Sequence, residues 1–177
     1  MKVILHTCCG VCAAGAADIL LKEGHRVTGY FYNPNIYPED EYRLRLEAAR
    51  HTAERLGFEL VEGPYEPENW ISAVAACQDG PEGGSRCLTC YRLRLEKTSG
   101  FMRGAGADAF TSTLTISPHK SAKAINMIGA EIGGNSFMAR DFKKKDGFKK
   151  AADLAKSWEI YRQHYCGCVY SLKGEQR

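Results

Sequence analysis

Short strand-forming runs take turns with helix-forming segments through the first third of this chain, and that alternation limits its fold more than any other feature. Lys2 to His6 (KVILH) is a compact apolar run of the kind buried on both faces of a sheet. Ala13 to Lys22 is rich in Ala and Leu and exits at Gly24, as a helix does. A second β-rich run, Arg26 to Tyr32, ends at the NPN turn of residues 33–35. Beyond Pro38, Glu39, Asp40 and Glu41 suit a helix start, and Tyr42, Leu46, Ala49, Ala53 and Leu56 repeat at helical spacing up to Gly57. Phe58 to Val61 reads as a third strand. This β-α-β-α-β order predicts a parallel sheet with helices on both faces and right-handed crossovers.

The second half is less regular. Trp70 to Cys77 reads as helical, residues 79–85 as a Gly-rich loop, and Arg86 to Arg103 as a helix led by Cys87 and Cys90. Residues 108–114 form a fourth strand, followed by a helix over 117–132 and another over 151–165. At 177 residues and 44% apolar content the chain can bury a core as one domain. The expected fold is therefore a single α/β domain over residues 1–177, with a basic C-terminal segment (about 141–177) packed against it. No run approaches the ~20 apolar residues of a membrane span, and the chain opens directly into a strand, so a cytoplasmic protein with no membrane partner is expected.

Eight cysteines stand out against that background. In a reducing compartment they point to metal ligands or redox groups rather than structural bridges. Cys8 and Cys9 follow the first strand, and in open α/β sheets ligands bind beyond the strands' carboxyl ends. Cys87 and Cys90 share one face at a helix start, where the helix N-terminus favours the thiolate form. Together the four could close a thiolate site. A Cys₄ zinc site of Cys9, Cys12, Cys87 and Cys90 is the competing set, and burial of all four as core residues is the plain alternative. Adjacent cysteines suit an iron–sulfur cluster, whose corners are spread, better than one small ion.

Cys166 and Cys168 flank a single glycine. Thiols so close form only a small, labile ring, which suggests a switchable dithiol, against the reading of two idle thiols near the chain end. Cys77 has no partner in sequence and reads as packing. The net charge of +3 is small, but residues 141–177 carry +4 and the rest −1. The run KKKDGFKK places Lys143, Lys144, Lys145, Lys149 and Lys150 where they could hold RNA phosphates, with Phe148 as a stacking face, though such a run also serves as plain solvated surface. His6 reads as a hydrogen-bonded strand-end residue or a proton shuttle. The Gly-rich loop over 80–84 matches no phosphate-binding pattern, so no nucleotide cofactor is expected.

Six motifs in order carry a resemblance. HTCCGVC, YNPNIYP followed by EYRLR, RCLTCYRLRL, TSTLTISPHK, RDFKKKDGF and YRQHYCGCVYS closely resemble the QueH-type epoxyqueuosine reductases, from the first strand to about Ser171. Where that family typically has proline, this chain has Val11. The resemblance implies a Rossmann-like fold of the HUP type. It also implies a cobalamin-independent iron–sulfur oxidoreductase that reduces epoxyqueuosine at the tRNA wobble position to queuosine. By position, Cys8, Cys9, Cys87 and Cys90 then match the ligands of a [4Fe-4S] cluster, and Cys166 and Cys168 a redox-active disulfide pair. A second, adjacent iron is implied with no ligands assigned, as is an electron donor of unknown identity. Arg162 and Gln163 are candidates for contact with the tRNA anticodon loop. A zinc-stabilised RNA-binding module without catalysis and a thiol–disulfide oxidoreductase are the competing functions.

Overall fold

The computed structural model describes residues 1–175. Four parallel strands, β1 (Lys2–His6), β2 (Arg26–Phe31), β3 (Glu59–Glu62) and β4 (Ala109–Ser112), form one sheet in the order β3-β2-β1-β4. Register runs Ile4 to Thr28 and Ile4 to Phe110, so β1 is paired on both sides. The chain moves outward from β1 through β2 to β3, then crosses to the other side for β4. That reversal opens a crevice between the carboxyl ends of β1 and β4, where ligands of such sheets bind.

Alternation along β1 builds two cores. Val3 and Leu5 face a cluster with Ala16, Ala17 and Leu20 of α1 (Gly10–Lys22), Ala48 and Ala53 of α2 (Glu39–Leu56), and Ala151 and Ala155 of α6 (Gly147–Ser157). Ile4 faces the opposite cluster with Phe110, Leu95 of α4 (Ser85–Gly104), and Ile125 and Ile128 of α5 (Ala122–Gly133). Helix α1 is buried almost all round and is built of small residues, so its neighbours come close to its backbone. A Cβ on Gly10 would stand 2.5 Å from the Ala48 carbonyl oxygen, and one on Gly15 would stand 2.6 Å from the Ala151 Cβ. Glu39, Asp40 and Glu41 sit at the positive end of the α2 dipole, and Gly57 (φ 70°) ends that helix left-handed.

Later elements depart from the sequence expectations in definable ways. Helix α3 (Pro67–Val74) begins earlier than Trp70 because Pro67 suits a first turn, and residues 75–77 finish it as a 3₁₀ turn. The fourth strand stops at Ser112, whose hydroxyl caps a 3₁₀ turn over 113–116. Helix α5 starts at Ala122 rather than 117, since Pro118 interrupts and the Ser121 hydroxyl caps Ala124 N–H. Helix α6 spans Gly147–Ser157, not 151–165. Residues 145 and 146 turn left-handed just before it, and at its end the Ile160 N–H bonds the Ala155 carbonyl, with Glu159 at φ 54°. Residues 158–168 are consequently irregular, and a last helix, α7 (Val169–Glu175), follows them.

The approach of α2 to the start of α1 fixes where the cysteine loop emerges. Gly10→Ala pushes a methyl group into α2 backbone and is expected to cost about 1–3 kcal/mol. For a domain of this size that lowers the melting temperature by about 2–12 °C, measurable by circular dichroism; an unchanged melting temperature would mean the two helices are free to separate.

Candidate metal and redox site

The loop after β1 begins the site. Cys9 caps α1, its sulfur accepting the Cys12 N–H at 3.4 Å, and this cap draws Cys12 back toward the pair. The Cys8 and Cys9 sulfurs lie 3.9 Å apart, and those of Cys8, Cys9 and Cys12 all lie within 4.8 Å of one another. Cys12 is thus a full member of the group. Its signal in the sequence was the CxxC spacing from Cys9. Thr113, just beyond β4, braces Cys8 twice: its hydroxyl accepts the Cys8 N–H at 3.1 Å and donates to the sulfur at 3.2 Å. From the far end of the chain, Gln163 Nε2 donates to Cys9 Sγ at 3.0 Å.

Protons are unevenly shared in the triad. Hydrogen bonds from Cys12 and Cys9, aided by the charge of Arg94, hold the Cys8 thiol well below its usual range despite burial. For Cys9, the Cys12 contact pulls down, but the bond to Cys8 and burial win and push it up to about 12. The bonds to Cys8 and Cys9, with burial, raise Cys12 well above the usual thiol range. One sulfur carries charge on behalf of three, and a metal bound there would displace the remaining protons.

Helix α4 supplies the second pair. Cys90 is buried, its thiol pushed up by desolvation, while the half-buried Cys87 is raised by the same cause and accepts the Gly83 N–H at 3.2 Å. Cys87 and Cys8 both pack against the β4-side core, and Cys8 packs against the opposite core as well. Cys87 and Cys90 do not join the tight triad within 4.8 Å.

Arg94, one turn after Cys90, ties these parts together. The residue is 3% exposed, and among the described residues it forms no ion pair with a carboxylate. Instead it donates to Asn33 Oδ1 at 2.6 Å, lies 3.3 Å from His6 Nε2, and points one nitrogen at Cys90 Sγ at 3.9 Å. The neighbours that favour its charged form are sulfurs, Cys90 first, then Cys8 and Cys166, and together they outweigh enough of the burial cost to hold it above the ordinary arginine range. A buried cation is costly unless compensated. Three cysteine sulfurs around a guanidinium that lacks a carboxylate partner therefore fit a thiolate-bound metal group of net negative charge. His6 is completely buried between Ser112 Oγ (3.0 Å) and the Tyr32 carbonyl (3.2 Å), and burial, then Arg94, lower its pKa to about 3. It is a neutral structural residue, as the plainer sequence reading had it.

Part of this set faces a cavity of about 990 Å³ walled by loops following β1, β2 and β4, with His6, Cys87 and Cys90 standing behind its lining. Cys8, Cys12, Arg94 and Cys166 line it, Cys9 does not, and its rim carries Arg86, His119, Lys120, Arg162 and His164 against the single acid Glu82. Lys120 keeps its proton above the ordinary lysine range: burial opposes the charge, but the nearby Cys166 and Cys8 sulfurs outweigh it. Of the basic run, Lys143 donates to the Lys120 carbonyl at 2.8 Å, whereas Lys144, Lys145, Lys149 and Lys150 are exposed. Phe148 lines the cavity with the Arg162 guanidinium 6.0 Å from its ring centre. Arg162 and Gln163 stand on the irregular segment, not on a helix. Arg45, Arg94 and Lys120 fall inside the motifs EYRLR, RCLTCYRLRL and TSTLTISPHK, but no role attaches to them from the sequence, because it comes from surroundings that only the tertiary fold creates.

Arg94→Met leaves Asn33 Oδ1 without its donor and is expected to destabilise the protein by about 1–3 kcal/mol, read as a lower midpoint in urea. A change within about 0.5 kcal/mol would show that the guanidinium does not brace the site.

Residues 3–174 match the family described as epoxyqueuosine reductase QueH. The epoxyqueuosine reductase QueH of Streptococcus pyogenes serotype M1 is 34% identical over 181 residues, covering 97% of this chain and 71% of that one. Its counterpart in Dehalococcoides mccartyi is 37% identical over 178 residues, covering 96% and 92%. Among solved structures, a predicted tRNA methyltransferase subunit from Methanocaldococcus jannaschii superposes with a TM-score of 0.58 at 17% identity, over 88% of this chain and 76% of that one. NMN synthetase from Francisella tularensis gives 0.51 at 15%, over 90% and 62%. At such identities these two establish a shared Rossmann-like fold and nothing more.

Proposed function

Because this chain belongs to the QueH family of epoxyqueuosine reductases, we propose that it is a cytosolic, cobalamin-independent enzyme that reduces epoxyqueuosine at the tRNA wobble position to queuosine. Cys8, Cys9, Cys87 and Cys90 hold a [4Fe-4S] cluster, and Cys12 is left to serve a second, adjacent iron. The observation that carries this reading is Arg94: a buried guanidinium whose counter-charges are cysteine sulfurs, on the wall of a cavity large enough for a nucleoside.

Removing an epoxide oxygen to leave an alkene consumes two electrons and two protons and releases water. When bound, the iron–sulfur group supplies single electrons and a Lewis-acidic iron. The chain's own residues do the rest. Oxidation of the Cys166 and Cys168 dithiol to a disulfide releases two electrons and two protons, the full requirement of one turnover. An external donor, not identified here, must then restore the dithiol. The Lys120 ammonium, charged and at the cavity wall, stabilises negative charge developing on the departing oxygen. Arg162 at the cavity wall, with the exposed lysines of residues 143–150, holds backbone phosphates of an unpaired anticodon loop.

Protein purified without oxygen is expected to be brown and to contain stoichiometric iron and acid-labile sulfide. Cys87→Ser and Cys90→Ser should lose both, while Cys166→Ser should keep the cluster and fail to deoxygenate modified tRNA. The 4.8 Å triad favours a second reading, a single zinc ion on Cys8, Cys9 and Cys12 in a non-catalytic RNA-binding module. Colourless protein holding zinc alone, with no sulfide, would support that reading and overturn the first.

RNA binding should weaken as salt rises. The double variant Lys149→Gln, Lys150→Gln is expected to flatten the slope of log affinity against log salt by about 1.4, the value for two lost contacts to single-stranded RNA. An unchanged slope would remove α6 from the interface.

A further inference from the structure

The turn that carries the CGC motif is held along its whole length. Arg45 donates to the Tyr165 and Cys166 carbonyls, each at 3.0 Å. The Tyr37 N–H donates to the Gly167 carbonyl at 2.8 Å, and the Ser171 and Leu172 N–H groups donate to that of Cys168 at 3.1 Å. Every carbonyl from Tyr165 to Cys168 is thus engaged. Arg45 is itself 2% exposed, with Nε 2.6 Å from Glu41 Oε1, and the Tyr161 hydroxyl donates to the other oxygen of Glu41 at 2.7 Å. Breaking such a buried pair strands a charge, so the guanidinium is not free to leave. Gly167 adopts φ 121°, and a Cβ there would stand 2.9 Å from Arg45.

A fixed turn gives its two thiols fixed and unlike surroundings. Cys166 is half-buried and lines the cavity. Cys168 is 7% exposed, packs with Trp70, Val74 and Cys90, and donates to Ser171 Oγ at 3.4 Å. We propose that the Arg45–Glu41 clamp makes the CGC motif an ordered pair, in which Cys166 is the thiol that meets molecules in the cavity and Cys168 is the resolving thiol. Arg45 is the positioning residue. The inference rests on the reading of this motif as a redox dithiol.

Against a disulfide RSSR the steps balance. The Cys166 thiolate attacks one sulfur of RSSR, the probe's S–S bond breaks, and one RS⁻ departs. The Cys168 thiolate then attacks the Cys166 sulfur of the mixed disulfide and expels the second RS⁻. Two protein thiols become one disulfide, and the probe receives both electrons and both protons as two RSH.

The test exposes iron-loaded protein to glutathione disulfide without oxygen and locates the adducts by peptide mass spectrometry. Cys168→Ser should accumulate glutathione on Cys166, whereas Cys166→Ser should gain it on Cys168 at least about tenfold more slowly, since access governs the attack. Wild type should show the internal disulfide and little adduct. In Arg45→Met, if circular dichroism shows it folded, the bias should fall below about threefold. Arg45→Lys, which cannot bridge both carbonyls, should not restore it. Equal labelling of the two thiols would overturn the order of the pair, and an undiminished bias in folded Arg45→Met would overturn the role of the clamp. If Arg45→Met does not fold, the two cysteine variants still decide the order. A Cys166→Ser protein that processes tRNA normally while the labelling bias persists would sink the functional reading alone and leave the ordered pair standing.

Discussion

A positive charge with no carboxylate partner among the described residues is the constraint on which this site turns. Arg94 lies inside the protein with its donors on Asn33, near His6 and toward Cys90, and the groups that most favour its charge are the sulfurs of Cys90, Cys8 and Cys166. Burying a guanidinium costs several kcal/mol unless an anion compensates it. Cysteines that ionise when they bind metal provide that anion, so metal loading and the placement of Arg94 depend on each other. Burial, reinforced by the same charge, keeps His6 neutral, so the strand end packs without a second buried cation.

The fold places these groups by a simple route. Reversal of strand order between β1 and β4 opens the crevice, small residues in α1 let α2 and α6 close over it, and the cysteine loop sits where β1 delivers it. Cys87 and Cys90 arrive on α4 from the opposite face of the sheet, and Cys166 arrives from the chain end, held by α2 through Arg45. Two distant segments therefore contribute sulfur to the cavity wall, Cys8 and Cys12 from the first loop and Cys166 from the chain end, while Cys90 of α4 stands behind the wall beside Arg94. A rim with several cations and one acid completes a surface suited to a polyanion.

Much of this was legible in the sequence, and the remainder was hidden for physical reasons. The strands and helices through Gly57 follow from hydrophobic period and from glycine and proline punctuation, which act locally. After that point local signals conflict: TISPHKS holds apolar and polar residues in a capped turn, and the helix expected to reach residue 165 stops at Ser157, where the chain turns left-handed at Glu159. The cysteine pairs announced themselves by spacing. Arg45 and Arg94 did not, because on a helical pattern an arginine reads as surface, and only the folded structure shows each one buried with its donors committed. Cys12 was visible as half of a CxxC, but its approach to Cys8 depends on the cap that Cys9 forms.

The central claim is that sulfurs from the first loop and from α4 share one iron-containing centre. Diffraction from crystals grown without oxygen, with data collected at the iron absorption edge, tests it most directly. The account predicts anomalous iron peaks bonded to Cys8, Cys9, Cys87 and Cys90 beside Arg94. A single zinc peak confined to Cys8, Cys9 and Cys12, with Cys87 and Cys90 unliganded, would contradict it.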